Sequence, residues 1–403
     1  MRVLLITDWL AAHGGVEAYT SWLRAGLQAA GDDVRLLTSS AGSADSGSAD
    51  FVAWGTNHVA AQTVLQVVNP FAMARVREAV LLFHPDVALV NMFTLHLSPA
   101  IMRPLRDVPT VISLHEYKVI CPIGSKLLPD GKLCTQRAGL VCWRNGCVGS
   151  LHWLRDQARY AMIRSALGEA ARILACSAWL KGELAANEIQ AQHVVLPVPA
   201  PRDSFRRVPG GHPTFVFCGG LRVEKGVSLL LRAFARLHAE MPSARLRIVG
   251  DGAQRWNLER LCTELGLANA VTFMGQLSPL AVEQQLVDAW ALVAPSLWAE
   301  PLGLSALEAI VRGVPVIASS AGGFSETVEP GVSGLLFPNG DENALLVHLR
   351  AIASGRAFPT HSLDADVVGR VTEKHRIDRH IARIRAIFAE LAPQNRASAS
   401  VLE

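Results

Sequence analysis

Two glutamates stand out in the stretch SLWAEPLGLSALEAIVRGVPVIAS, which covers residues 296–319. Glu300 precedes a proline and a glycine, and Glu308 follows inside an apolar helical pattern, with seven residues between the two. Pro301 favours the first turn of a helix or the loop entering it, so the pattern predicts a helix from about Gly303 to Arg312. Glu300 then lies in the loop before the helix, and Glu308 lies more than one turn inside it.

This pair of carboxylates is suited to the two ends of one ligand. A phosphate over the first helix amides would let a sugar extend toward one carboxylate and a ribose toward the other, because carboxylates accept hydrogen bonds from hydroxyls. The alternative is an acid favoured by the helix dipole together with an ordinary surface glutamate. The spacing alone does not decide between the two interpretations.

Glycine-rich turns follow several predicted strands, where parallel sheets often bind phosphates. The turn HGGVEAY holds Gly14 and Gly15 and opens a helix, where free amides can hold an anion, although a glycine turn before a helix more often reflects turn geometry alone. The turn CGGLRVEKG adds two cations, Arg222 and Lys225, just before another helix. These cations could clamp a diphosphate, or they could belong to a solvated loop.

Two further turns give weaker signals. The turn VGDGAQ begins like a dinucleotide fingerprint but lacks the third glycine, so it predicts nicotinamide binding poorly. The turn SSAGGFSETVE places Gly323 after a strand and Glu326 in the next helix. An ordinary strand-to-helix turn would have the same composition.

Short apolar runs alternate with helical patterns in both halves of the chain. Strands are predicted at 2–7, 33–38, 86–91, 109–113, 172–175, 214–218, 244–250, 270–275, 290–295, 314–319 and 334–337. This alternation indicates two doubly wound parallel sheets, whose shared cleft is the natural ligand site. A proline-rich linker near residue 195 separates the two units.

These patterns divide the chain into residues 1–200, residues 201–375 and a C-terminal segment, 376–403. The isoleucines of that segment recur at helical spacing, which predicts a helix that docks on the first unit rather than on a membrane surface. The tail after it is expected to be disordered.

Composition narrows the class of protein. The 403 residues are 50% hydrophobic and 18% charged with a net charge of +3, which argues against disorder and against nucleic-acid binding. The sequence contains neither a signal-like nor a membrane-spanning run, so we expect a cytoplasmic protein, with contact at the inner face of a membrane left open. Its seven cysteines should then be reduced or metal-bound.

The segment from Glu300 to Glu308 resembles the E-P-F-G-x-x-x-x-E signature of retaining GT-B glycosyltransferases of family 4, with Leu302 where phenylalanine is usual. Further segments resemble the family in the same order along nearly the whole chain: GGVEAY, SLHEY, KGVSLLLRAF, VGDGAQRWNLERL, VTFMGQL and AGGFSETV. The resemblance implies a GT-B fold, in which two Rossmann-like domains face each other across a cleft. The first would bind the acceptor and the second the nucleotide-sugar donor.

The resemblance also implies roles for residues that match the family motifs. Gly14 and Gly15 would approach the donor diphosphate, and His115 would lie beside the donor sugar near the reaction centre. Lys225 would neutralise the diphosphate leaving group. The family often has arginine where this chain has Gly220, and Arg222 two positions later is the candidate to replace it.

The remaining donor contacts come from the second half of the chain. Glu300 would bind donor-sugar hydroxyls and Glu308 the ribose, while Gly323 and Glu326 would support the sugar and phosphate end. Three backbone amides would contact the sugar or phosphate, namely those of Leu302, Gly303 and Leu304.

The implied reaction transfers a sugar from a UDP- or GDP-sugar to an acceptor hydroxyl with retention of configuration, by front-face displacement. Cations and amides would stabilise the leaving diphosphate, so no metal or other cofactor is expected to be required for catalysis. The acceptor stays open among a saccharide, a lipid-linked sugar and a small molecule. Two alternatives are a nucleotide-sugar epimerase of the same fold and a noncatalytic sugar-nucleotide binding protein.

Residues 121–147 form a cysteine-rich insert directly after His115. Four cysteines occur at C-x12-C-x7-C-x4-C spacing: Cys121, Cys134, Cys142 and Cys147. Four nearby thiols in a cytoplasmic protein suggest a structural zinc, although the short C-x2-C spacing is absent. Reduced thiols are the next interpretation, followed by an iron–sulfur cluster or disulfides. Trp143 and Arg144 of the insert, with Trp153 and Arg155 just after it, are candidates to contact an acceptor; packing of the tryptophans in the fold is the alternative.

Overall fold

The apolar runs of the first half form a seven-stranded parallel sheet in the order β3-β2-β1-β4-β5-β6-β7. The computed structural model describes residues 1–10, 15–41 and 48–392. The strands are β1 (Arg2–Ile6), β2 (Asp33–Ser39), β3 (Phe51–Ala53), β4 (Val87–Val90), β5 (Thr110–Leu114), β6 (Arg172–Ala175) and β7 (Gln192–His193). The helices are α1 (Gly15–Ala29), α2 (Val59–Leu65), α3 (Pro70–Phe83), α4 (Leu140–Arg144), α5 (Ser150–Glu169) and α6 (Ala178–Ala186).

The second half forms a six-stranded parallel sheet in the order β10-β9-β8-β11-β12-β13. The strands are β8 (Thr214–Cys218), β9 (Arg245–Val249), β10 (Val271–Gly275), β11 (Ala291–Ala294), β12 (Val316–Ser319) and β13 (Gly334–Phe337). The helices are α7 (Val227–Glu240), α8 (Arg255–Glu264), α9 (Pro279–Leu286), α10 (Leu304–Ile310), α11 (Phe324–Thr327) and α12 (Glu342–Ala353). The predicted class, two doubly wound α/β units, is confirmed.

Burial explains why these runs become strands. All four residues of β4 and all five of β5 are buried, as expected for parallel strands covered by helices on both faces. Helix α1 buries Tyr19, Leu23 and Leu27 against the sheet, on the face that helical periodicity predicts. Each sheet changes strand order beside its first strand, which opens a crevice at the carboxyl ends of the strands.

The end of the chain returns to the first unit. Helices α13 (Ala365–Lys374) and α14 (Ile377–Leu391) follow the second sheet, and α14 packs against α1. A Cβ on Gly26 would lie 2.6 Å from the Ile381 side chain, so this glycine permits the close approach. Residues 393–403, the expected disordered tail, lie outside the described residues.

The two units share buried surface. Trp298, Leu302 and Leu307 of the second unit belong to the same hydrophobic cluster as the first sheet. This cluster fixes the loop around Glu300 against the carboxyl ends of the first sheet. Among the described helices, none is long and apolar enough to cross a membrane.

Candidate active site

Segments that follow strands of both sheets meet in one cleft. A Cβ on Gly15, at the start of α1, would lie 2.9 Å from Cδ1 of Leu304, at the start of α10. Tyr117, after β5, packs edge-on against Trp298, after β11, with ring centroids 6.0 Å apart. The predicted donor and acceptor sides therefore face each other. Gly14, also predicted to lie here, falls outside the described residues.

Lys225 and Glu300 form the central ion pair of the cleft. The Nζ atom of Lys225 donates to Oε1 of Glu300 at 2.6 Å, and the Ser296 hydroxyl donates to the same oxygen at 2.7 Å. Both charged side chains are largely buried. Sequence reasoning assigned these two residues separately, to diphosphate and to sugar, and the structure brings them into direct contact.

Two packed loops hold Lys225 in position. Gly226 has φ of +69°, and a Cβ there would lie 1.9 Å from the carbonyl oxygen of Pro295, so only glycine allows this approach. The backbone N–H of Leu297 donates to the carbonyl of Glu224 at 2.8 Å. The ammonium group of Lys225 also lies 5.0 Å from the centroid of the Trp298 ring, a cation–π contact.

Glu300 is a buried carboxylate that stays ionised. Burial favours its protonated form, but the charge of Lys225 and the hydrogen bonds from Lys225 and Ser296 outweigh burial and hold the pKa of Glu300 below its ordinary value. Because Glu300 is buried, its carboxylate is suited to accept hydrogen bonds from sugar hydroxyls once Lys225 is drawn to another anion.

The turn at residues 322–323 packs against the loop that carries Glu300. The N–H of Gly323 donates to the carbonyl of Glu300 at 2.6 Å. A Cβ on Gly322 would lie 2.3 Å from that same carbonyl oxygen, and one on Gly323 would lie 2.5 Å from Cα of Leu302. Gly303, with φ of +89°, lies directly before α10 and faces the ring of Phe324. These glycines shape the Glu300 loop through backbone packing.

Glu308 lies on α10 at the other end of the cleft. Burial raises the pKa of its carboxyl, an effect that the charge of Arg312 only partly offsets. Glu308 also lies close enough to Cys218, at the end of β8, to contribute to the raised pKa of that thiol. Within residues 15–41 and 48–392 its carboxylate shows no hydrogen bond, which leaves acceptor capacity for ligand hydroxyls.

Arg222 does not join the ion pair. Its Nε atom bonds Oε1 of Glu224 at 2.9 Å, and its side chain is 57% exposed. Gly220 has room for a side chain, because a Cβ there would meet no atom closer than 3.9 Å. Among the described residues, Lys225 is the cation that pairs with Glu300.

Gly250 and Gly252 serve the turn beside Gly220. A Cβ on Gly250 would lie 2.0 Å from the carbonyl oxygen of Gly219, and one on Gly252 would lie 2.6 Å from that of Leu221. Close backbone packing therefore explains the VGDG sequence without a nicotinamide ligand.

His115 is held as a neutral imidazole after β5. Burial lowers its pKa to about 3, and neighbouring His380 adds to the effect. Its Nε2 lies 3.0 Å from the Ser113 hydroxyl, and its ring packs 4.7 Å from that of Tyr19. His115 can therefore donate or accept a hydrogen bond in the cleft, but it carries no charge at neutral pH.

Glu116 is a site residue that sequence reasoning missed, although the SLHEY segment contains it. Burial raises its pKa to about 7; the charge of Lys118 lowers the pKa somewhat, and the charge of Asp8 raises it further. Its carboxyl shows no hydrogen bond to the described part of the chain. The sequence gives its position after β5, but only the surroundings reveal the raised pKa.

Glu326 contacts the first unit. Its carboxylate accepts hydrogen bonds from the backbone N–H groups of Ala178, at 2.9 Å, and Trp179, both in the first turn of α6. Beside it, the Ser177 hydroxyl donates to the carbonyl of Pro301. The predicted support of the sugar and phosphate end thus appears here as a contact between the two units.

The four cysteines of the insert line one small cavity. All four are free, and burial raises the pKa of the Cys142 and Cys147 thiols. In the ranges that the structure describes, no group of three or more His, Cys, Asp or Glu side chains could hold a metal ion. The expected zinc site is therefore not supported by the described residues.

The cleft and the two sheets define the GT-B class. Sucrose-phosphate synthase from Thermosynechococcus elongatus superimposes with a TM-score of 0.74 over 97% of this chain and 99% of its own, at 22% identity. HepE of Anabaena, solved with UDP-glucose, gives 0.68 over 96% of this chain and 100% of its own, at 18% identity. At these identities the likeness establishes the fold.

Sequence comparison identifies the family. Residues 14–199 match the glycosyl transferase 4-like domain, and residues 202–362 match glycosyl transferases group 1. The chain belongs to this glycosyltransferase family, as its motifs predicted.

One similar curated relative is the GDP-mannose-dependent alpha-(1-6)-phosphatidylinositol monomannoside mannosyltransferase of Mycolicibacterium smegmatis. It is 32% identical over 167 residues, which is 40% of this chain and 43% of that protein. The matched regions span about a third to less than half of the curated relatives' lengths.

Proposed function

We propose that this protein transfers a sugar from a nucleoside-diphosphate sugar to an acceptor hydroxyl with retention of anomeric configuration. The observation that carries the proposal is the buried Lys225–Glu300 ion pair at 2.6 Å, located where the two units meet. One member suits a diphosphate and the other suits sugar hydroxyls, so a single ligand can satisfy both.

Donor binding would exchange partners within this pair. The diphosphate would draw the Lys225 ammonium, and the Glu300 carboxylate would turn its freed acceptor capacity to the sugar. Ser296 would keep one Glu300 oxygen oriented, since its hydroxyl already bonds that atom at 2.7 Å. Gly303 and its neighbours would let the diphosphate approach the backbone amides of Leu302 and Leu304 closely.

At the reacting carbon, the bond from C1 to the phosphate oxygen would break as the acceptor oxygen bonds C1 on the same face. The acceptor's proton would pass to the departing phosphate oxygen, so the nucleoside diphosphate leaves carrying it. Lys225 would stabilise the charge that develops on that phosphate, and neutral His115 would orient the sugar by hydrogen bonding.

The nucleoside would occupy the Glu308 end of the cleft. A buried carboxylate with free acceptor capacity can bind both ribose hydroxyls, and the binding of two hydroxyls would offset the cost of its burial. Because ribose is common to UDP and GDP, this contact fits either donor. HepE is solved with UDP-glucose, and the mannosyltransferase relative is named for GDP-mannose, which supports testing both.

The decisive experiment separates sugar recognition from nucleotide binding. Glu300→Gln should lower turnover about 100-fold while changing the Kd for the preferred nucleoside diphosphate less than threefold, since the sugar contact is lost. Glu308→Ala should weaken nucleoside-diphosphate binding about tenfold. Calorimetry with UDP and GDP would measure Kd, and product mass spectrometry with a donor and acceptor panel would measure turnover.

Glu264→Gln is the control, because Glu264 is 60% exposed on α8 and pairs with Arg260. Equal effects of the Glu300 and Glu308 variants on both quantities would refute the division of roles. Sugar rearrangement without an acceptor would indicate an epimerase, and tight nucleotide binding without turnover would indicate a binding protein. Turnover should not change when a metal chelator is added, because Lys225 is proposed to stabilise the charge of the leaving diphosphate.

A further inference from the structure

An exposed apolar surface covers the cysteine-rich insert and the start of α5. Five large apolar side chains are 39–83% exposed there: Ile123, Leu140, Trp143, Leu151 and Leu154. Leu151 and Leu154 are one helical turn apart and share a face of α5, and the Trp143 indole N–H donates to the Ser150 hydroxyl at 3.0 Å. The patch is therefore continuous from α4 to α5. We call it the insert face.

Basic charge is concentrated in the same segment. Residues 121–169, which end with α5, contain seven lysines and arginines and three acidic residues, a net charge of +4 in a chain whose total is +3. Most of these cations are paired or buried: Arg155 bonds Asp156, and Arg159 is buried. Three more form ion pairs, namely Lys132 with Asp130, Lys126 with Glu183 and Arg137 with Glu188. Arg144 and Arg164 are exposed and show no acidic partner among the described residues. The insert face thus combines exposed apolar groups with two exposed arginines that no described acid pairs: Arg144 next to Trp143, and Arg164 farther along α5.

The opposite side of α5 forms part of the cleft wall. Arg159 donates to the carbonyl of Thr94, beyond β4, at 3.0 Å, and the Tyr160 hydroxyl donates to the carbonyl of Lys118 at 3.2 Å. Lys118 follows His115 by three residues. The insert face is therefore about one helix diameter, roughly 10 Å, from the acceptor side of the cleft.

We propose that the insert face docks on the surface of an anionic lipid bilayer and presents the cleft to an acceptor anchored in that bilayer. Leucine and tryptophan side chains would enter the headgroup boundary, while the arginines would contact lipid phosphates. The identification of the acceptor as lipid-anchored rests on the proposed transferase function. The docking itself requires no turnover.

Vesicle flotation tests the docking directly. The full chain should bind vesicles of 30% phosphatidylglycerol in phosphatidylcholine at low salt, and binding should fall at least tenfold in pure phosphatidylcholine or in 0.5 M salt. Leu151→Ser/Leu154→Ser and Arg144→Glu should each reduce binding to the anionic vesicles at least fivefold. Nucleoside-diphosphate affinity should not change, which would show that the variants are folded.

Leu81→Ser/Leu82→Ser is the matched control. These leucines are 62% and 69% exposed near the end of α3, which leads into the amino end of β4, away from the cleft. The control variant should bind vesicles like the parent chain. Equal losses in both double variants, or no binding to anionic vesicles, would overturn the proposal.

Two further outcomes keep the proposals distinct. If light scattering shows that the insert face joins two copies of the chain and that vesicle binding is absent, the docking proposal is refuted. Vesicle binding that persists without sugar transfer to any acceptor would refute the proposed function and leave the docking intact. Sugar transfer to soluble acceptors without vesicle binding would refute the docking proposal and leave the proposed transferase function intact.

Discussion

At the scale of single residues, Glu116 makes a prediction about stability. Its pKa rises from an ordinary 4.5 to about 7 because the folded cleft buries it. Between these pH values the folded chain keeps a proton that the unfolded chain has released, so the free energy of unfolding falls as pH rises. Glu116→Gln should remove this dependence and, relative to the parent chain, stabilise the protein by about 2.5 kcal/mol more at pH 8 than at pH 5.

Urea unfolding at both pH values measures the difference. Glu390→Gln is the control, because Glu390 is 57% exposed on α14 and pairs with Arg172. Parallel pH profiles for the Glu116 variant and the parent chain would show that the carboxyl ionises normally. If the variant also loses transfer activity, Glu116 becomes a candidate to bind the acceptor hydroxyl.

The sequence identified candidate side chains at the site but not how they pair. Glu300 and Lys225 are recognisable because each belongs to a short motif of restricted composition. Their mutual ion pair joins residues 75 positions apart and depends on the packing of Gly226 under Pro295. Glu116 was overlooked because its distinguishing property, a raised pKa, is created by folding.

At the scale of elements, Glu326 links α11 to α6. Its carboxylate accepts from the first amides of α6, where the helix dipole favours negative charge. Glu326→Ala should therefore weaken closure of the two units, increasing the radius of gyration in solution scattering and lowering kcat by about tenfold. The Kd for the nucleoside diphosphate should change little, because nucleotide contacts are proposed at Lys225 and Glu308.

Glu329→Ala serves as the comparison, since Glu329 lies just after α11, pairs with Arg370 and is 55% exposed. It should leave both scattering and kcat unchanged. A large loss of nucleotide affinity in the Glu326 variant, with unchanged scattering, would instead favour the direct donor contact that the motif implied.

Most elements were predictable because burial leaves a strong pattern. Strand β8 and strand β13 occur at the predicted residues, because a short continuous apolar run between two turns is typical of a buried parallel strand. Strands β3 and β7 were missed. They contain three and two residues and lie at the edges of the sheet, where short length and partial exposure remove the apolar signal. The cysteine spacing suggested a zinc site, but spacing along the sequence does not show whether the thiols are arranged to bind a metal.

At the scale of the whole molecule, two histidines join the linker to the C-terminal helices. His375 bonds the carbonyl of Leu196 at 2.7 Å and His380 that of Val195 at 2.8 Å, both through Nδ1. A carbonyl only accepts, so each Nδ1 carries the proton. The Nε2 atom of His380 is then free to accept from the Tyr19 hydroxyl at 3.0 Å, which ties α14 to α1.

This arrangement predicts instability in mild acid. Burial lowers the pKa of His380 to about 4 and that of His115 to about 3, and it also lowers the pKa of His375. Below about pH 6.5 the unfolded chain binds protons that the folded chain excludes, so stability that is present above pH 6.5 is lost as pH falls toward 4. The histidines alone should lower the free energy of unfolding by about 5 kcal/mol between pH 7.5 and 4.5, and the raised pKa of Glu116 should offset about half of that drop over the same range.

His380→Gln tests this directly, because glutamine keeps hydrogen-bonding capacity but cannot be protonated in this range. The variant should be less stable at pH 7.5 because its hydrogen bonds are altered. Its free energy of unfolding should nevertheless fall less steeply as pH is lowered, because unfolding of the variant takes up as much as one proton fewer than unfolding of the parent chain. Urea unfolding at half-unit pH steps measures the slope, with His58→Gln as the control, since His58 is exposed before α2. Identical slopes in the parent and His380 variant would mean that the contact between α14 and α1 is not acid-sensitive.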